Sequence, residues 1–160
     1  MKGRFTRTNL VVVALAMLMA SFAPAAYADK CSTKTVAGDW AFTLTGTILT
    51  PSGGVPAAAI ARATIDESGN ITEGTEARNV GGGYADETVT GYWTVNPDCT
   101  GTLNVNIYES GQLVRISVVS MAFDDDSTEA RMVQKSLTLP DGTNVPVVIT
   151  LEARRQHSDH

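Results

Sequence analysis

An all-β domain, closed into one antiparallel up-and-down barrel of eight strands, is the architecture this sequence predicts. Three observations predict it. Beyond residue 28, about eight segments alternate apolar and polar side chains or are rich in β-branched and aromatic residues, at spacings of roughly 10–14 residues. The connections between them are short clusters of Gly, Pro, Asn, Asp and Ser. No segment of that region carries the 3.6-residue period of an amphipathic helix. Short connections make sequential strands antiparallel neighbours, and closing the sheet removes its two exposed edges. The strand pattern alone also admits a two-sheet β-sandwich.

The elements follow in order. In residues 40–48, Trp40, Phe42, Leu44, Gly46 and Ile48 fall on one face, with Ala41, Thr43, Thr45 and Thr47 on the other. Pro51, Ser52, Gly53 and Gly54 break that strand. Residues 57–65 are Ala-rich, but the β-branched Ile60, Thr64 and Ile65 and the turn at 66–70 argue for a strand. Residues 71–80 form a weaker strand with polar content, ended by three glycines at 81–83. Residues 87–95 form a stronger one. The turn at 96–101 has a Pro that presets φ, Asn and Asp that bond local backbone, and a Gly that tolerates positive φ. Residues 102–108 place Leu103, Val105 and Ile107 on one face, and Gly111 turns the chain into residues 113–123. The acidic run at 124–127 is a charged turn rather than a calcium site, because it lacks the Gly and spacing of an EF-hand loop. Residues 130–139 and 145–153, joined by a Pro-Asp-Gly-Thr-Asn turn, close the series.

The N-terminus reads as a secretory signal peptide over residues 1–28. Lys2, Arg4 and Arg7 precede an apolar run over 10–19, and Ala26, Tyr27 and Ala28 form a small-x-small cleavage site. The run is too short to cross ~30 Å of hydrocarbon. The expected organisation is a signal segment at 1–28, a barrel domain at 29–155 and a polar tail at 156–160. Removing the signal leaves nine Lys and Arg against 17 Asp and Glu, a net charge of −8. So acidic a domain repels phosphate backbones, which argues against nucleic-acid binding. The protein is therefore expected in the periplasm or outside the cell, with no membrane span in its mature form. Cys31 and Cys99 are the only cysteines, and an oxidising compartment favours a disulfide between them.

Three segments carry a family resemblance: Gly38 to Thr47 (GDWAFTLTGT), Ile65 to Ile71 (IDESGNI) and Gly91 to Gly101 (GYWTVNPDCTG). Together they resemble a family of small exported bacterial proteins, the allene-oxide-cyclase-barrel-like group of the calycin-type β-barrels. The resemblance spans roughly residues 35–155 and favours the barrel over the sandwich. It implies a central hydrophobic cavity that takes apolar small molecules. In a few such barrels the cavity steers a reactive intermediate through cyclisation. No motif carrying the cavity carboxylate of those cyclases is matched here, so no catalytic residue is carried over.

Chemistry-bearing residues are few. The histidines, His157 and His160, sit in the tail, which removes the fixed base of a Ser-His or Cys-His nucleophile and a histidine-rich metal site. Arg62, Arg115 and Glu152 interrupt strand patterns, and such residues ordinarily face solvent. Arg115 is the best candidate for an inward charge, because it shares a face with Leu113, Val119, Met121 and Phe123. Glu152 or Glu87 would supply the carboxylate that a buried Arg needs. Glu87, Arg115 and Glu152 are thus the catalytic candidates. Trp40, Tyr92, Trp93, Arg115, Met121 and Phe123 are the ligand-binding candidates; Tyr92 and Trp93, being adjacent, point to opposite faces.

Three functions compete. The first is a small barrel binding an apolar ligand without catalysis and without a cofactor or metal. The second is a cofactor-independent cyclase or isomerase, which needs a cavity and an inward carboxylate or Tyr of perturbed pKa. The third is a structural or protein-interaction module of the envelope, or a homo-oligomer, working through the outer surface.

Overall fold

A computed structural model describes residues 31–156; the expected signal segment at 1–28 and the tail from His157 onward lie outside the described residues. Eight strands follow one another: β1 (Gly38–Thr50), β2 (Gly53–Ile65), β3 (Asn70–Val80), β4 (Gly83–Val95), β5 (Thr100–Glu109), β6 (Gln112–Phe123), β7 (Glu129–Thr138) and β8 (Val147–Arg155). Each pairs antiparallel with the next, and β8 pairs with β1, so the sheet is a closed barrel and not a sandwich. Period-2 alternation sends one face of every strand inward. Several boundaries differ from the sequence reading: β1 runs two residues further at each end, and β4 begins at Gly83, inside the glycine run expected as a break. β2 begins at Gly53, ahead of Pro56, and β8 begins at Val147, because Val145 instead donates its N–H to the Leu137 carbonyl across the β7–β8 turn.

The two ends of the barrel differ. At one end lie the turns after β2, β4 and β6. Each is tied by an Asp that accepts backbone N–H bonds: Asp66 from Ser68 and Asn70, Asp98 from Thr100, and Asp124 from Thr128 and Glu129. Side-chain bonds from Asn70 to Asp66 and from Thr100 to Asp98, with these backbone bonds, hold those two carboxyls below their ordinary proton affinity; in Asp124 burial is the largest single influence and acts against the shift, and the bonds from Glu129 and Thr128 outweigh it. Residues 31–37 are anchored at this end. A Cys31–Cys99 disulfide bridges Cα atoms 5.0 Å apart. The Trp40 indole N–H donates to the Val36 carbonyl at 2.8 Å, and the Arg155 guanidinium donates to the carbonyls of Thr35 and Ala37.

Beneath that segment the lumen is solid. Trp40 and Trp93 pack with ring centroids 5.3 Å apart, and Phe123 lies 5.5 Å from Trp93 and 6.0 Å from Trp40. Such tilted and edge contacts add about 0.5–1.5 kcal/mol per pair beyond burial. Met121, Met132 and Val119 complete this core. Glycines let neighbouring strands of the wall approach closely. A Cβ on Gly91 would lie 1.9 Å from the Asn104 carbonyl oxygen, and one on Gly46 would lie 2.2 Å from that of Val148.

Candidate functional site

The opposite half of the barrel holds a cavity of about 320 Å³, at the small end of the range of roughly 300–1,000 Å³ for ligand pockets. Its walls are mostly aliphatic: Leu44 and Ile48 from β1, Val105 from β5, Leu137 from β7, and Ile149 and Leu151 from β8. The space exists because β2 is Ala-rich. Ala57 and Ala59 occupy buried inward positions where larger aliphatic side chains would fill the lumen. The composition that made β2 ambiguous in the sequence is what leaves the barrel hollow.

A polar network crosses the lumen from β6 to β3 and β4. Arg115 on β6 donates from Nη1 to Glu87 Oε1 and from Nη2 to Glu87 Oε2, both at 2.5 Å, and from Nη2 to Glu76 Oε1 at 2.8 Å. Arg78 on β3 donates from Nε to Glu87 Oε1 at 2.8 Å and from Nη2 to Glu109 Oε2 at 3.4 Å. Glu87 has no side-chain exposure and is fully enclosed by this pairing. Burial opposes its charge, but the two guanidiniums outweigh that and hold its carboxyl below the ordinary range. Glu76 behaves in the opposite way. Burial pushes its proton affinity up, the Glu87 charge adds to the push, and Arg115 only partly offsets them. On the next strand round from β6, the Gln134 amide donates to Ser117 Oγ at 3.1 Å and to the Ser136 carbonyl at 3.2 Å.

Near the cavity the wall is split. The β7–β8 ladder runs only from Glu129↔Arg154 to Val133↔Thr150. Past that point β7 folds onto its own loop through the Thr138↔Asn144 bridge, while β8 stays paired with β1 as far as Val147. Gln134, Leu137 and Ile149, all on the cavity lining, flank this divergence.

The residues singled out from the sequence separate into three groups. Arg115 and Glu87 point inward and pair with each other. Trp40, Trp93, Met121 and Phe123 lie in the packed end, outside the cavity lining. Tyr92 and Glu152 sit on the outer face, as does Arg62, and Tyr92 is 49% exposed. Leu113 does not share the inward face with Arg115. A bulge pairs Ile107 with Arg115 but Tyr108 with Leu113, which moves Leu113 off that face.

Sequence reasoning missed Glu76, Arg78, Ser117 and Gln134. For β3 the reason is a second bulge, between Ile71 and Thr75. Ile71 packs against the core, so strict alternation from it would aim Thr75, Ala77 and Asn79 inward. The bulge inverts that set and turns Glu76 and Arg78 into the lumen.

Among the described residues no group of His, Cys, Asp and Glu is arranged to hold a metal ion, and no helix is long and apolar enough to cross a membrane. Fold and cavity together define the molecule as a small closed β-barrel with a hollow half. No family model matches the sequence, and no curated protein does. The chain is similar in fold to the solved structure of EF1p2_mFAP2b bound to DFHBI. The TM-score is 0.52 at 13% identity, covering 81% of this chain and 100% of that one.

Proposed function

We propose that this protein is an exported barrel that binds one small, mostly apolar molecule in the hollow half of its lumen, without catalysis. The observation that carries this reading is the division of the barrel. One half is packed solid by aromatic rings, and the other keeps about 320 Å³ lined by aliphatic side chains. Packed cores leave few voids larger than a water molecule, so a space this large needs an occupant or a reason. Export is supported by the signal-like residues 1–28 and by the disulfide, a bond of oxidising compartments. A similarly folded barrel, EF1p2_mFAP2b, is bound to DFHBI, which supports small-molecule binding by a barrel of this kind.

The test is to purify the protein from its producing host and analyse it by native mass spectrometry. A co-purifying small molecule is expected, and Ala59→Phe, which places a ring in the cavity, should lose it while keeping the far-UV spectrum. A ligand retained by Ala59→Phe, or no ligand and no uptake of apolar probes by the wild type, would refute this reading.

A cyclase or isomerase is the second reading, and one observation favours it. Glu76 is an inward carboxyl of raised proton affinity on the cavity wall, the kind of group that serves as a general acid or base. It predicts turnover of a reactive apolar intermediate that Glu76→Gln abolishes while binding persists.

A further inference from the structure

With all its glutamates ionised the polar network does not balance, and the imbalance says what kind of ligand fits. This inference rests on the binding reading above. Glu76, Glu87 and Glu109 supply three carboxylates, and Arg78 and Arg115 supply two guanidiniums. The bonds are unequally shared. Glu87 takes three N–H bonds from both arginines, and Glu109 takes one from Arg78 at the rim. Among the described residues Glu76 receives a single bond, from Arg115 to Oε1, and its second oxygen accepts none. Glu76 is nevertheless mostly buried, and it lines the cavity. Every charged group that faces it is already in the account: Arg115 from β6, Glu87 from β4 and Arg78 from its own strand. Across the β2 ladder it meets only Ala61.

We propose that the cavity is built for a cationic amphiphile, with an apolar body in the aliphatic lumen and one protonated amine head against the Glu76 carboxylate. An ammonium donates up to three hydrogen bonds and brings the single positive charge that the network lacks. The free Glu76 oxygen takes one of those bonds. The Gln134 amide, whose nitrogen donates to Ser117 and Ser136, adds a carbonyl acceptor elsewhere on the lining. A carboxylate head would meet two arginines already committed to Glu87 and an excess of negative charge, so it is selected against. A hydroxyl head would satisfy an oxygen but leave the charge uncompensated.

The test uses three probes with one tail, decylamine, 1-decanol and decanoate, titrated calorimetrically into the purified protein below their micelle concentrations. At neutral pH decylammonium should bind about tenfold tighter than decanol, the worth of one charge-assisted hydrogen bond, and decanoate should bind weakest. Glu76→Gln should erase the amine preference and leave decanol within about twofold. Should that variant misfold, the wild type still decides. Its affinity for the amine should fall as acid protonates Glu76, while decanol affinity stays flat. Decanoate binding as tightly as decylamine, an amine preference that survives Glu76→Gln, or an amine affinity insensitive to acid would overturn the proposal. Decanol binding with no amine preference defeats the head-group assignment alone. Failure of all three probes to bind defeats the cavity reading and the assignment with it.

Discussion

Glu87 and Glu76 sit in one network, touch the same arginine and should respond oppositely to the same substitution. Glu87→Gln replaces an anion that accepts three N–H bonds from Arg78 and Arg115. Hydrogen bonds to charged groups are each worth about 1.5–3 kcal/mol, and removing one partner of a buried ion pair costs about 3–5 kcal/mol. Gln keeps one acceptor oxygen, and Arg115 keeps Glu76, so the lower end applies, about 3 kcal/mol. At about 2.1 cal/mol/K per residue, a domain of about 130 residues then loses about 11 °C of Tm.

Glu76→Gln should cost nothing at neutral pH, or stabilise slightly, because burial makes the folded protein disfavour the Glu76 charge. The pH dependence separates the two further. The Glu87 carboxyl has a lowered folded pKa, so its contribution is present above the ordinary carboxylate range and is lost as pH falls through that lowered value. Glu76 has a raised folded pKa, so the fold is favoured while Glu76 is protonated, and that advantage is lost as pH rises through the raised value. Thermal unfolding followed by circular dichroism, from about pH 2 to pH 8, checks both. Equal losses for the two variants, or a loss under about 1 kcal/mol for Glu87→Gln, would mean that the network is not organised around Glu87.

Two further outcomes are expected. The Cys31–Cys99 bond closes 68 residues, so replacing both cysteines by serine should lower unfolding free energy by about 4 kcal/mol in urea titrations, and alkylation of the denatured wild type should find no free thiol. The two tryptophans should differ as well. Trp40 donates its indole N–H to Val36, whereas the buried Trp93 indole N–H has no partner. Trp40→Phe should therefore be costlier than Trp93→Phe by about 1–2 kcal/mol, read from urea midpoints; equal losses would show that ring volume alone matters.

Local pattern carried most of the architecture. The alternation of Trp40, Phe42 and Leu44, and of Leu103, Val105 and Ile107, sets strands with one apolar face. The Asn-Pro-Asp and Asp-Glu-Ser-Gly turns set where they reverse, because these residues bond their own backbone whatever surrounds them. Two cysteines in an acidic chain with an export-like start pointed to the disulfide that the structure contains. Arg115 was legible as an inward charge because Val119, Met121 and Phe123 share its face. Which carboxylate it would meet was not legible, since Glu87 and Glu152 both sit in strands. Only closure of the barrel, in which β8 lies beside β1 and turns Glu152 outward, decided between them.

The division of the lumen was a tertiary decision too. Trp40 and Trp93 look like ligand-stacking rings in a one-dimensional pattern, but residues 31–37 and the disulfide roof that end, and the rings pack against each other. The cavity wall on β3 was hidden for a simple reason. A period-2 reading assigns faces only while the period is unbroken, and one bulge between Ile71 and Thr75 exchanges the two faces of everything after it. The sequence by itself therefore determined the strands, the turns, the acidic charge and the cysteine pair, all of which follow from local chemistry or composition. The tertiary structure alone decided that Glu76 and Arg78 face inward, that the aromatics fill one half, and that the alanines of β2 leave the other half open. Those facts depend on register and closure, which neighbouring strands impose on each other.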